Sequence, residues 1–158
     1  MKSLSHLDDT GEAHMVDVSS KPETERVAVA EGRVRLSPEV FALISKRSLP
    51  KGDLGPVARL AGIAGAKWTG HLIPLCHPIR LTDIDVQMVL DECDHSVIIR
   101  ATTRTVERTG VEMEAMTAVS VACLTVYDMV KAVGRETRIE SISLLSKSGG
   151  QSGDWSRT

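Results

Sequence analysis

Four short segments gather polar and ionisable side chains where a plain core has no need of them. Lys51-Gly52-Asp53 places a lysine beside a glycine at a helix entrance, an arrangement that a solvated turn explains equally well when taken alone. Leu72-Ile73-Pro74-Leu75-Cys76-His77-Pro78 is an apolar loop, pinned by two prolines, that presents a thiol and an imidazole. Adjacent side chains diverge, and His71 and Cys76 lack zinc-site spacing, which disfavours a metal. Two readings stay open: both side chains pack, or the loop binds a ligand with His77 as hydrogen-bond donor. Thr109-Gly110-Val111-Glu112-Met113-Glu114-Ala115 opens a long helix with two carboxylates, as the positive end of a helix dipole favours. At about 100° per residue, however, Glu114, Thr117, Asp128 and Lys131 share one stripe of an otherwise apolar helix, and charges in such a setting are normally paired or functional. The tail Lys147–Gly153 has glycines and hydroxyls without Walker spacing, so it reads as a phosphate nest or as a flexible end.

These segments need elements to position them. Val27, Val29, Val34 and Leu36 alternate with charged residues and predict a strand over 26–36, bending at Gly32. Ser37-Pro38-Glu39 predicts a helix start, with Ser37 as cap and Pro38 at the first turn, and the helix buries Val40, Phe41, Leu43 and Ile44 and stops before Pro50. Asp53 caps a second helix through Val57, Leu60, Ile63 and Ala64, whose small residues permit close backbone approach. The prolines make 72–79 irregular. Residues 81–90 and 97–106 read as an antiparallel hairpin, 111–133 as a helix closed by Gly134, and 139–145 as a last strand. The order strand, helices, strand, strand, helix, strand predicts an α+β fold, a ferredoxin-like split βαβ sandwich with an antiparallel sheet and its helices on one face. The expected organisation is a flexible leader over 1–13, one catalytic domain over 14–146 and a mobile Gly-rich C-terminal segment over 147–158.

Composition narrows the function classes. The 158 residues suit one domain, and 42% hydrophobic with 25% charged residues is the balance of a folded globular chain. Phe41, Tyr127, Trp68 and Trp155 are the only aromatics, so the core is aliphatic and stacking platforms for single-stranded nucleic acid are not expected. A net charge of -2 gives no attraction to nucleic acid or to a membrane. No apolar stretch is expected to span a bilayer, no signal peptide is evident, and three unpaired cysteines fit a cytoplasmic protein.

Several strings occur in order: Met15-Val16-Asp17-Val18-Ser19 with Lys21, Thr24 and Arg26; Lys51-Gly52-Asp53; Ala58-Arg59-Leu60-Ala61-Gly62-Ile63; Leu72–Pro78; Thr109–Ala115; Tyr127-Asp128-Met129 with Lys131-Ala132; and Leu144–Gly150. The chain thereby resembles, from about residue 13 to 155, the cyclic pyranopterin monophosphate synthase family, molybdenum cofactor biosynthesis protein C. The resemblance implies a lyase that converts 3′,8-cyclised dihydro-GTP to cyclic pyranopterin monophosphate with release of pyrophosphate. Such steps are proton transfers and charge stabilisation, so no cofactor is required, though Mg²⁺ can arrive with the triphosphate.

By the same resemblance Lys51 and Lys131 match catalytic lysines and Asp128 the active-site acid, with Glu112, Glu114 and His77 expected in the acid–base network. Leu75, Cys76, His77, Met113 and Glu114 match substrate-contacting segments, while Arg26, Lys147 and Arg108 fit as substrate binders, the first two on the triphosphate. Glu107 stands where relatives often have glycine and Gln151 where a lysine is frequent; Ser48-Leu49-Pro50 is peculiar to this chain.

Glu114 and Asp128 are 14 positions apart, about 21 Å along a helix. Small residues around Val121 (Thr117, Ala118, Ser120 and Ala122) therefore suggest two copies of the helix crossing about a two-fold axis, with sites shared between subunits. The family resemblance implies a homo-oligomer, a hexamer built as a trimer of dimers. Two other classes compete with the enzyme: a nucleotide-sensing module without turnover, which would not need so many lysines and carboxylates, and a metal-dependent phosphohydrolase, which would need a ligand cluster the sequence does not display.

Overall fold

The computed structural model describes residues 10–158, so the part of the expected leader at residues 1–9 lies outside the described residues. The elements are β1 (Thr24–Arg35), α1 (Pro38–Ser45), α2 (Leu54–Leu72), β2 (Leu81–Asp91), β3 (Ser96–Glu107), α3 (Glu112–Val130), β4 (Arg138–Ser148) and β5 (Trp155–Ser156). They build one antiparallel sheet in the order β2-β3-β1-β4-β5. The first four strands have the ferredoxin-like arrangement that the element order predicts.

The helix-facing side of the sheet is aliphatic and small: Ala28, Ala30 and Val34 of β1, Val97, Ile99 and Ala101 of β3, and Val86 of β2 are buried there. Val27 and Val29, grouped with Val34 by the sequence pattern, lie on the opposite face; the alternation that buries the strand runs through its alanines instead. That outer face carries the cross-strand ion pairs Arg100–Glu31 at 2.6 Å and Arg104–Asp83 at 3.7 Å, and Arg33 pairs with Asp94 of the β2–β3 turn at 2.5 Å.

Glycines set the helix positions. Gly32 lies in regular strand; a Cβ there would sit 2.5 Å from Val119 and 2.7 Å from Cys123, so it admits α3 rather than bending β1, and the register shifts against β4 flank it. On α2, Gly62 and Gly65 meet Ala118, Thr117 and Val121 of α3 at backbone distance. Thr117, Ala118 and Val121 of α3 therefore pack against α2 of the same chain.

Local signals hold well at helix starts. Ser37 accepts a hydrogen bond from the Val40 amide and Asp53 one from the Gly55 amide, both at 3.3 Å. At its C-terminus α3 ends at Val130 with Lys131 as cap, three residues short of the sequence expectation. Gly134 closes no left-handed turn; a Cβ there would clash with Val40. β4 runs on to Ser148 and β5 pairs with it, so Lys147 stands on a strand of the segment expected to be mobile. Contrary to the sequence reading, α3 is long and apolar enough by itself to cross a membrane, with a mean hydropathy of 1.3 over its apolar window. Its burial between the sheet and α2 accounts for that composition.

Candidate active site

Two neighbouring chambers open at the start of α3. The first, about 310 Å³, is lined by Lys21, Arg26, Arg108 and Lys147 together with Thr109, Gly110 and the 148–152 turn. Arg26 projects from β1 and is only 9% exposed, its Nε buried without a partner; among the described residues no carboxylate is placed on its guanidinium. A buried cation without a counter-ion is costly, so this one calls for an anion. The wall behind it is backbone: Gly149 and Gly150 have φ of +89° and +79°, and any Cβ on Gly150 would overlap the Arg26 guanidinium. Asp154 fixes the turn by accepting from the Gly149 amide at 3.1 Å.

The second chamber, about 340 Å³, is lined by Val16, Val18, Leu75, Cys76, His77, Ile79, Met113 and Glu114, and it shares Lys21, Thr109, Gly110 and Glu112 with the first. Buried threonines place its walls. Thr105 donates to Arg80 O at 2.6 Å, holding the end of the proline loop to β3, and Thr103 donates to Val111 O at 3.1 Å, fixing the start of α3. Glu114 is 3% exposed with Oε2 unpartnered, and burial pushes its pKa up to about 7, against a backbone hydrogen bond and with help from Glu112. Burial, and then the Glu114 charge, hold the Cys76 thiol above its ordinary value. A carboxyl that titrates near neutrality inside a ligand-sized cavity is suited to general acid–base work.

The predicted site residues divide into two groups. Leu75, Cys76, His77, Met113, Glu114, Glu112, Arg26, Lys147 and Arg108 line the two chambers. Arg108 does so while donating to Ser19 O at 2.8 Å and pairing with Glu23 at 3.7 Å, which ties down the 15–23 segment. Lys51, Asp128 and Lys131 meet elsewhere, at the other end of α3. Asp128 Oδ2 accepts from Lys51 Nζ at 2.8 Å and Asp128 Oδ1 pairs with Lys131 Nζ at 2.6 Å. Lys51 also donates to the Asp128 carbonyl at 2.8 Å. Hydrogen bonds from Lys131 and then Lys51 hold the exposed Asp128 carboxyl down at about 2, and Asp128 in turn raises the Lys131 ammonium. Within one chain the groups are separated by most of the helix length, about 21 Å from Glu114 to Asp128.

Of the lining residues, Lys21 has no role in the sequence reading beyond membership of a motif, and Val16 and Val18 likewise. Their segment has no periodic signal; only a lysine among hydroxyls ahead of the strand carrying Arg26 hints at the site. Gln151 also lines the first chamber. Among the described residues no three His, Cys, Asp or Glu side chains are grouped to hold a metal ion.

Residues 15–150 match the MoaC family model. A Thermomicrobium roseum protein named cyclic pyranopterin monophosphate synthase is 56% identical over 157 residues, covering 99% of this chain and 95% of its own. Proteins of the same name from Brucella ovis and Cereibacter sphaeroides are 58% and 56% identical, over 96% and 97% of this chain and 92% and 96% of theirs.

Proposed function

The chain belongs to the MoaC family, and on that premise we propose that it is a lyase of molybdenum cofactor biosynthesis that converts 3′,8-cyclised dihydro-GTP to cyclic pyranopterin monophosphate and pyrophosphate. The single observation that carries the substrate class is the buried Arg26, which no carboxylate among the described residues pairs with, in a chamber with three further cations, adjoining a chamber of mixed lining with a neutral-range carboxyl. A triphosphate suits the first and a ring that must gain and lose protons suits the second. Glu114 and His77 exchange protons with the ring, Leu75, Cys76 and Met113 enclose it, and Arg26, Lys147, Arg108 and Lys21 neutralise phosphate. No resident cofactor is needed for proton transfers and displacement at phosphorus; Mg²⁺, where present, enters with the triphosphate as part of the substrate.

Lys51, Lys131 and Asp128 act on the same substrate when a second subunit brings its α3 C-terminus to the chambers. Leu124 of α3 and Leu60 and Trp68 of α2, at 59%, 68% and 61% exposed, are large apolar side chains that such an interface would cover. The enzyme is accordingly a homo-oligomer, assembled as a hexamer of three dimers and working in the cytoplasm. The direct test is incubation of the purified protein with the cyclised dihydro-GTP, followed by assay for the pterin and for pyrophosphate. Substrate bound but returned unchanged would favour a sensing module and overturn the lyase.

A further inference from the structure

Resting on the reading of the cationic chamber as the triphosphate site, we propose that Glu112 and Lys147 form a gate: Glu112 occupies Lys147 until phosphate displaces it, and the displaced carboxylate is thereby delivered to the ring chamber.

Three features carry this. Lys147 Nζ, aimed into the phosphate chamber from β4, is 2.9 Å from Glu112 Oε1, and both side chains are less than one-third exposed. The lysine is therefore engaged by an anion of the protein itself, unlike the neighbouring Arg26. The Glu112 carboxylate is folded back over Gly110, where any Cβ would overlap Oε2 and lie 2.7 Å from Cδ. Gly110 has an ordinary φ, so what glycine supplies there is room for the parked carboxylate. Finally, Glu112 borders both chambers, so loss of its lysine leaves it at the junction, two residues from Glu114.

A phosphate oxygen and a carboxylate compete for one ammonium and repel each other, so occupancy of the phosphate chamber and release of Glu112 are reciprocal. The gate restrains a base in the empty enzyme and makes it available only with the phosphates in place. Glu112 is in this sense positioned by Lys147, and Gly110 sets its parked position.

The test is calorimetric binding of inorganic tripolyphosphate to the full chain. Glu112→Gln and Gly110→Ala, one removing the competing charge and the other removing its parking place with the charge kept, should each tighten binding about tenfold. In a Lys147→Ala background the Glu112→Gln effect should vanish, because the competition acts through that lysine. Unchanged or weaker binding by Glu112→Gln overturns the gate, as does equal tightening with and without Lys147, which would reveal only a general charge effect. Should Gly110→Ala fail to fold, the Glu112 and Lys147 cycle decides alone. Arg26→Ala separates the layers: tripolyphosphate binding that ignores Arg26 overturns the phosphate chamber itself and the gate with it, whereas Arg26-dependent binding without the Lys147-dependent cycle overturns only the gate.

Discussion

At its N-terminal end α3 presents Glu114, 3% exposed and titrating at about 7, in a chamber that adjoins the one holding Arg26, a buried arginine that no carboxylate among the described residues pairs with. At its C-terminal end Asp128 lies 55% exposed between Lys51 and Lys131, titrating at about 2, with both lysines within 2.8 Å of its one carboxylate. The same helix thus ends in an unsatisfied cavity and in a satisfied surface triad. The difference teaches where strain and where specificity reside. The cavity leaves a buried cation for an outside anion, while in the triad each side chain has a partner and one positive charge remains in excess.

The sharpest way to break this comparison is to dismantle the triad. Lys51→Ala and Lys131→Ala should each lower kcat by about 10²–10⁴. Neither should move Tm appreciably, since the pairs are exposed and solvent-screened. Near wild-type turnover in either variant removes that lysine from the chemistry.

Whether the two ends belong to one site is decided by mixing inactive Glu114→Ala and Lys131→Ala proteins after dissociation and reassembly. Random pairing makes about half the dimers mixed, each with one intact site of two, so about a quarter of wild-type activity should return. No return despite demonstrated subunit exchange would confine each site to one chain.

A smaller effect is expected from thinning the cationic chamber. Arg26→Ala and Lys147→Ala should weaken substrate binding roughly 10- to 100-fold, each lost charge-assisted contact being worth ~1.5–3 kcal/mol. The loss should shrink for an analogue lacking the β- and γ-phosphates. Equal losses for both ligands would remove the phosphate role.

A different effect is expected on stability. Glu114 has its pKa raised from the usual 4.5 to about 7, so between those values the folded state holds a proton that the unfolded chain has released. Stability therefore falls as pH rises through that window and is level above it, by up to ~3 kcal/mol. Glu114→Gln, unable to ionise, should lack this decline in urea melts taken from pH 5 to 8. Parallel pH dependences would place the titration elsewhere.

The sequence already displayed much of this frame, and the misses share a cause. Helix starts at Ser37 and Asp53 were legible because a cap is a local interaction. The burial of Ala28 and Ala30 in place of Val27 and Val29 was not, since it depends on α3 pressing against Gly32. The stripe Glu114, Thr117, Asp128 and Lys131 was visible as periodicity, yet Thr117 faces α2 and only the charged members stand at the ends. Lys21 and the threonines Thr103 and Thr105 join the site through contacts across strands, which no local pattern announces.

Arg26, pressed beneath Gly150, also has a thermodynamic consequence. A guanidinium buried without a counter-ion weakens the free protein, and any anion that binds the native state alone returns that stability as RT ln(1 + [L]/Kd), about 2.7 kcal/mol at a hundredfold excess over Kd. Arg26→Met should therefore melt higher than the parent in buffer without phosphate and gain less than the parent from added pyrophosphate, since Lys21, Arg108 and Lys147 remain in the chamber. On the proposed phosphate role of Arg26, the capacity to capture substrate is stored as instability of the free fold.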